Sequence, residues 1–232
     1  QRGRFATGAA VFLVALFALA SLAALDRWSL TFDEITYAPA GYDYLTTGRV
    51  RFNVEKGPLA KALSALALLA LRPEPPKILG DERGYKTGWE FFFRNRVPAR
   101  RLAWWSRLPS VAAGAALAGL LFLWAREDHG EGAALIALAF FLGDPLLAAL
   151  SRLAIGDIFV AFFFFAAFLL LKRSLTSPHA TRELWLCGAA AGAAALCKFS
   201  GLLFFPAAAL ILAALHGSRE AVRRTLPAAA AD

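Results

Sequence analysis

Charge is scarce in this sequence of 232 residues, since only 18% of them are Asp, Glu, Lys or Arg and 59% are hydrophobic. The mean hydropathy is +0.54, and several apolar runs approach the roughly 20 residues that a helix needs to cross a bilayer. The sequence therefore predicts a polytopic membrane protein. Because lipid cannot satisfy backbone polar groups, the expected fold is all-α, a bundle of about six spanning helices.

Cysteine and histidine are also scarce, which limits redox and metal chemistry. Cys187 and Cys197 lie ten positions apart on one predicted helix, a rise of about 15 Å that is too long for a disulfide between them. His129, His179 and His216 fall in predicted cytoplasmic turns. We therefore predict no catalytic metal and no cofactor.

Motifs for binding nucleic acid are lacking, although the formal net charge is +8. In a soluble domain such a charge would suggest a nucleic-acid partner. In a membrane protein we expect it to come from basic cytoplasmic ends and from cations that face phosphate or anionic lipid. No internal repeat of about 20 to 50 residues is visible, which excludes a solenoid or a repeat array.

The order of apolar runs and basic residues predicts the topology. Residues 1–25 are expected to form the first transmembrane helix, and the arginines before it place the N-terminus in the cytoplasm. Residues 26–107 are expected to form an extracytoplasmic loop, and residues 108–232 a transmembrane bundle with basic inner turns. A cleaved signal peptide is the alternative for the first helix, because Ala-Leu-Ala at 18–20 follows a short apolar core.

The long outer loop is expected to hold helices that lie in the membrane interface. Apolar residues recur there at helical spacing, namely Ile35, Ala38, Tyr42 and Leu45. Pro58 occupies a favoured position for starting the next helix. The apolar run 59–71 is too short to span and is expected to be re-entrant or interfacial. Residues 72–88 contain several prolines and glycines, which predicts a mobile polar loop.

Two adjacent carboxylates, Asp33 and Glu34, come directly after the first apolar run. Acids at a bilayer surface are costly unless they are solvated, paired or used in chemistry. The predicted topology brings further charged residues to the same surface: Glu55, Lys56, Arg107, Arg152, Asp157 and Lys198. Simpler roles remain open, since Asp33 or Asp157 could cap a helix. For Lys198 we favour an amine that merely extends to the interface.

The order of these motifs resembles that of one family. The stretches that carry the resemblance are Asp33-Glu34 with Tyr37, Glu55-Lys56 with Pro58-Leu59, Arg107-Leu-Pro-Ser, Ser151-Arg152-Leu-Ala with Asp157, and Lys198-Phe-Ser-Gly. No single motif is specific, but their common order along the chain is. The chain resembles the N-terminal half of the integral-membrane (C-type) glycosyltransferases of the protein O-mannosyltransferase and aminoarabinose-transferase type, which depend on a phospholipid carrier.

The resemblance implies transfer of a sugar from polyprenyl phosphate to an acceptor hydroxyl of a protein, lipid or glycan. It implies a location at the extracytoplasmic face of a bacterial inner membrane. It assigns Asp33 as the base, and Glu34 and Asp157 as residues that shape the acceptor and sugar site. Substrate contacts are expected from Tyr37, Glu55, Lys56, Arg107 and Arg152, with the lysine and the arginines as phosphate partners.

The chain departs from the family pattern in two respects. Lys56-Gly57-Pro58 stands where the family commonly has His-Pro-Pro or Lys-Pro-Pro, and Gly57 is expected to loosen this turn. Family enzymes are also about twice as long, so a C-terminal half is expected to be absent here. The alternatives are a non-catalytic membrane subunit that kept the fold within a larger complex and, third, a solute transporter, which the lack of paired broken helices disfavours.

Overall fold

The computed structural model describes residues 2–80, 83–175, 178–208, 210–212 and 214. Within them the regular structure is helical, without a strand. The helices are α1 (Arg2–Ala24), α2 (Glu34–Thr47), α3 (Pro58–Ala65), α4 (Leu68–Leu71), α5 (Tyr85–Phe93), α6 (Ala99–Gly143), α7 (Pro145–Leu150), α8 (Asp157–Ser174) and α9 (Ala180–Cys197). Short 3₁₀ turns follow α1 (Leu25–Arg27) and α9 (Phe199–Leu203). The predicted all-α class is confirmed.

Two helices of the described residues are long and apolar enough to cross a membrane, Phe5–Arg27 and Ala99–Gly143. Gly130 interrupts α6 with φ 84° and ψ 176°, a left-handed conformation that glycine adopts without steric cost. Helix α6 therefore consists of two helices joined at a kink, beside the predicted inner turn. The count of about six spans stays a prediction, and the sixth expected span lies partly outside the described residues.

Helices α1, α6 and α8 build the main apolar core. Leu117, Phe122 and Leu138 of α6 are buried there against Ile158 and Phe159 of α8. Helix α9 packs along α8 with alanines that are fully buried, and such small side chains allow two helices to approach closely. The core therefore follows the apolar runs of the sequence.

Polar contacts join α1, α6 and α8 at one end of the bundle. Arg126 Nη1 donates to Thr7 Oγ1 at 3.0 Å, and Lys172 forms an ion pair with Asp128. These residues belong to the basic turns that the sequence assigns to the cytoplasm. The N-terminus of α8, which carries Asp157, lies at the opposite end of that helix.

The segment between α1 and α6 packs with the first turns of α6 into a second, smaller core. Ala38, Tyr42, Phe91, Phe92 and Leu102 are buried in it. Helix α2 differs from the predicted interfacial helix because protein encloses it, with residues 36–43 buried on every side. An added β carbon at Gly41 would lie 1.8 Å from the carbonyl oxygen of Lys61, so the backbones of α2 and α3 are in contact.

The other helix boundaries show which local predictions succeeded. Pro58 begins α3 as predicted, and Pro145 likewise begins α7. The run 59–71 divides into α3 and α4, and α5 begins at Tyr85, within the segment predicted to be a mobile loop. Helix α6 begins at Ala99, ahead of the predicted end of the outer loop.

Candidate functional site

Two ion pairs lie near each other at one end of the bundle, on residues that are far apart in the sequence. Lys56 Nζ lies 2.6 Å from Asp33 Oδ1, and Lys198 Nζ lies 2.7 Å from Asp157 Oδ1. All four side chains are partly exposed, Asp33 by 47% and Asp157 by 37%. A ligand can therefore reach both carboxylates and both amines. We call these four residues, together with Tyr37, the charged cluster.

Tyr37 lies between the two pairs and connects them. Its ring is 5.3 Å from Lys56 Nζ, and its hydroxyl is 3.6 Å from where a β carbon at Gly156 would be. Burial raises the pKa of Tyr37 above its ordinary value, and the negative charges of Asp33 and Asp157 raise it further. The phenol therefore stays protonated at neutral pH and can donate a hydrogen bond.

Gly57 brings the two halves of the charged cluster together. A β carbon at this position would lie 2.3 Å from the carbonyl oxygen of Leu196 and 2.5 Å from that of Cys197. The turn after Lys56 therefore packs directly on the end of α9, one residue before Lys198. The expectation that Gly57 loosens this turn is wrong, because its missing side chain permits a close backbone contact.

An apolar groove of about 450 Å³ ends at the charged cluster. Its walls come from α6 and α8, and the polar groups along it are Asp157 and Ser200. The lining apolar residues are Leu117, Leu121, Phe141, Val160, Ala161, Phe164, Phe165 and Phe168. We call it the phenylalanine groove. Its apolar lining suits a hydrocarbon chain with a polar end near Asp157.

Arg107 has no exposed surface, and all five of its N–H groups are used. Its Nε and one Nη2 hydrogen bind the Glu34 carboxylate at 2.7 and 2.8 Å. The others donate to the carbonyl oxygens of Leu25, Trp28 and Ser29 at 2.9 to 3.0 Å. In this arrangement no donor of Arg107 is left for a phosphate.

Glu34 is as completely buried as Arg107. Besides the guanidinium, its carboxylate accepts hydrogen bonds from Thr31 through both the backbone N–H and the hydroxyl at 3.0 Å, and from the Ala154 N–H at 2.9 Å. The carboxylate thus joins α2 and α6 to the turn before α8. Neither Glu34 nor Arg107 faces the charged cluster or the phenylalanine groove as an open side chain.

The two remaining predicted site residues are accessible. Arg152 is half-buried and its Nε lies 3.3 Å from Ser21 Oγ on α1. No acid pairs with Arg152 within the described part of the chain, so its charge is available to an anion. Glu55 is exposed on the loop before Lys56.

Lys61 is a further charged residue near the site, and it is only 2% exposed. Its Nζ donates to the Asn53 carbonyl oxygen at 2.5 Å. Burial lowers the pKa of Lys61 to about 8, against the weaker raising effect of Glu55, while Lys56 lowers it further. Among the residues described, no group of three or more His, Cys, Asp or Glu side chains could hold a metal ion.

Comparisons with known proteins identify the family. The sequence profile of the dolichyl-phosphate-mannose-protein mannosyltransferase family matches residues 100–231, which is 132 of 232 residues. The chain belongs to this family. Arg107, Arg152, Asp157 and Lys198 lie within the matched range, whereas Asp33 lies before it. The family predicted from the order of motifs is thereby confirmed. Comparison with curated protein sequences gave no match.

A solved structure is similar to most of this mannosyltransferase-family chain, including residues before the range that the family profile matches. The crystal structure of ArnT from Cupriavidus metallidurans in the apo state matches with a TM-score of 0.64 and 21% sequence identity. The match covers 90% of this chain and 36% of the ArnT chain. The two proteins share a fold over that region, and the chain spans about a third of the length of ArnT.

Two features of this family member's site were missed from its sequence. Lys198 was interpreted as an amine extending to the interface, but it pairs with Asp157. The sequence suggested no role at the site for the phenylalanines of α8, but three of them line the phenylalanine groove. The Lys-Phe-Ser-Gly motif was the available signal for Lys198. No local signal assigned the phenylalanines to a groove, because aromatic residues occur on all sides of α8.

Proposed function

We propose that this chain carries the donor site of a membrane glycosyltransferase, which moves a sugar from polyprenyl phosphate to an acceptor hydroxyl. The proposal keeps the predicted location at the extracytoplasmic face of a bacterial inner membrane, with residues 26–107 outside. The family described above and the shared fold support a C-type glycosyltransferase. The donor, the acceptor and the role of Asp33 are those that the resemblance implies, and the geometry that follows supports the proposal.

The main support for this proposal is that a groove suited to a lipid ends at paired acids and amines. The phenylalanine groove offers apolar walls for a polyprenyl chain and ends at Asp157, which is paired with Lys198. Tyr37 connects this pair to Asp33 and Lys56. A lipid whose head carries both a phosphate and a sugar would meet apolar walls for its chain, and cations and carboxylates for its head.

Lys56, Lys198 and Arg152 are the cations that we assign to the phosphate. Both lysines are partly exposed and already sit beside carboxylates, so a bound phosphate can replace or share these partners. Arg152 has no acidic partner within the described residues, and its guanidinium can bind a phosphate bidentately. Arg107 is assigned a different role, because its five donors are already satisfied inside the protein.

Asp33 is the residue that we assign as the base. The acceptor hydroxyl oxygen attacks the anomeric carbon, the bond from that carbon to the phosphate oxygen breaks, and the phosphate leaves with the electron pair. Asp33 accepts the hydroxyl proton, and the cations stabilise the charge on the phosphate. A single displacement of this kind inverts the anomeric carbon. Asp157 and Tyr37 are assigned to the sugar, through hydrogen bonds to its hydroxyls.

Binding of the carrier lipid by the purified protein tests the donor site. Polyprenyl phosphate and the uncharged polyprenol of equal length are titrated in the same detergent. We expect tighter binding of the phosphate, since a hydrogen bond to a charged group contributes about 1.5 to 3 kcal/mol. Replacing Arg152 with Met should remove part of that difference. Equal affinities for the two lipids would contradict the proposal.

A further inference from the structure

Lys61 is a buried cation that the proposed chemistry does not use. It lies on α3 with 2% of its surface exposed, and its ammonium has one hydrogen-bond partner in the described structure, the backbone carbonyl oxygen of Asn53 at 2.5 Å. A buried charge is costly unless it makes compensating contacts. A leucine or methionine would fill the same space at less cost, so the lysine calls for an explanation.

The hydrogen bond from Lys61 fixes the start of the loop that carries Lys56. Asn53 has a φ of 53°, a left-handed conformation that is uncommon for residues other than glycine. The carbonyl group of Asn53 points inward to the amine of Lys61. Together with the bond from the Asn53 side-chain amide to the Arg83 carbonyl oxygen at 3.4 Å, this contact holds the loop at a residue with left-handed backbone.

The other end of the same loop is fixed as well. Gly57 packs against the backbone of Leu196 and Cys197, and Pro58 begins α3 directly after it. Between the two fixed points only residues 54–56 remain, and Val54 and Glu55 are exposed. Lys56 therefore occupies a short span of backbone whose two ends are both held by buried contacts.

We propose that Lys61 is a positioning residue that holds the loop 53–57 so that the Lys56 ammonium faces Asp33 and the carrier phosphate. Lys61 itself does not touch the substrate, because it is buried beneath the loop. The inference rests on the proposed function for the role of Lys56. It adds that Lys61, at the end of the motif Lys56-Gly-Pro-Leu-Ala-Lys61, affects phosphate binding through the position of Lys56.

A double-mutant cycle on polyprenyl phosphate binding tests this inference. Lys56→Met, Lys61→Met and the double variant are titrated with polyprenyl phosphate in detergent, with Lys61→Gln as a second neutral variant. We expect Lys61→Met to weaken binding about tenfold in the parent, and by less than about twofold when Lys56 is already Met. The control is Ser64→Ala, because Ser64 is buried on the same helix and its hydroxyl donates to the Ala60 carbonyl oxygen within that helix.

Loop geometry is measured independently of binding. Spin labels at Val54 and Phe199, both exposed, report the distance between the loop and the end of α9. We expect a single narrow distribution of this distance in the parent and in Ser64→Ala, and a broad distribution in Lys61→Met. Circular dichroism should show the same secondary structure in all three proteins.

The possible outcomes separate the two proposals. If Lys56→Met leaves binding unchanged, the assignment of Lys56 to the phosphate fails. If Lys56→Met weakens binding but Lys61→Met does not, the positioning role of Lys61 is overturned. Equal losses from Lys61→Met in both backgrounds would also overturn it. If neither Lys61 variant folds, Lys61 holds the fold as a whole, and the positioning role is again overturned.

Discussion

Arg107 and Glu34 form an ion pair in which both side chains are fully buried, although 73 positions separate them in the chain. The guanidinium donates all five of its N–H groups, two to the carboxylate and three to carbonyl oxygens after α1. The pair thus joins α1, α2 and α6 beside the charged cluster. It holds Asp33, the neighbour of Glu34, at the start of α2.

Replacement of Arg107 by Met is expected to destabilise the protein by about 3 to 5 kcal/mol, because it leaves the Glu34 carboxylate buried without its counter-charge. The measurement is unfolding in detergent, followed by circular dichroism. Arg100→Met is the matched control, since the Arg100–Asp26 pair at 3.1 Å is exposed and such pairs contribute little. A stable Arg107→Met variant that binds polyprenyl phosphate weakly would instead place Arg107 in the phosphate site.

Replacement of Asp33 by Asn is expected to lower sugar transfer about 100- to 10,000-fold, the range typical of a positioned base. The amide keeps the shape of the carboxylate but cannot accept the proton, so binding of polyprenyl phosphate should survive. Transfer is measured with the protein in lipid vesicles that contain the sugar-loaded carrier. Asp26→Asn serves as the control, because this partly exposed acid pairs with Arg100 and not with a residue of the charged cluster. Parent-like turnover by Asp33→Asn would leave Asp33 an ion-pair partner of Lys56 with no role as a base.

Replacement of Gly57 by Ala is expected to separate the Lys56 turn from the end of α9, because the new β carbon would meet two backbone carbonyl groups. Such overpacking typically costs about 1 to 3 kcal/mol. Thermal unfolding measures the loss, and titration of polyprenyl phosphate measures its effect on the site. Gly119→Ala on α6 is the control, since its β carbon would meet nothing within 4 Å. Equal stability of the two variants would argue against a close contact at Gly57.

The stability contributed by Lys61 is expected to depend on pH. The pKa of Lys61 is about 8 in the folded protein, whereas the ordinary value of 10.5 applies to the unfolded chain. Between these two pH values the unfolded chain therefore binds more protons than the folded protein. The free energy of unfolding of the parent should therefore rise with pH across this window, relative to Lys61→Met. Below pH 8 the full cost of the buried ammonium remains. Unfolding of both proteins at several pH values from 7 to about 10 measures this, and a constant difference would contradict it.

The orientation in the membrane is expected to place residues 26–107 outside, because the short turns at the other end are basic. Single cysteines at Lys77 and Gly132, both exposed, are labelled in intact cells by a reagent that does not cross the membrane. Lys77→Cys should react at once and Gly132→Cys only after lysis. Ser177, another position on the predicted inner side, lies outside the described residues. The reverse labelling pattern would invert the topology.

Local sequence patterns were sufficient for the helical class and for several boundaries. Pro58 and Pro145 begin helices because proline lacks an N–H that the first turn does not need. The segment around Tyr85 was misjudged as a loop, since its helix is short and is stabilised by burial of Phe91 and Phe92 rather than by local propensity. Helix α2 was expected to bury only one face, but protein encloses it, because Glu34 and Tyr42 gain partners from distant parts of the chain.

The site was predictable as a set of residue types but not as an arrangement. The order of motifs identified the family and brought Asp33, Lys56 and Asp157 to attention. It assigned Arg107 to the phosphate and Lys198 to the interface, because both are cations predicted at one surface and their burial was not known. Burial separates them, since Arg107 has no exposed surface and Lys198 is 47% exposed beside Asp157.

Composition and apolar periodicity determined by themselves that this chain is an all-helical protein of a membrane type, since these properties depend on local transfer free energies and on backbone hydrogen bonding. Only the tertiary structure decided which charges are paired within the protein and which face a ligand. The reason is that pairing depends on contacts such as Glu34–Arg107 and Gly57–Cys197, which join distant segments and leave no periodic signal in the sequence.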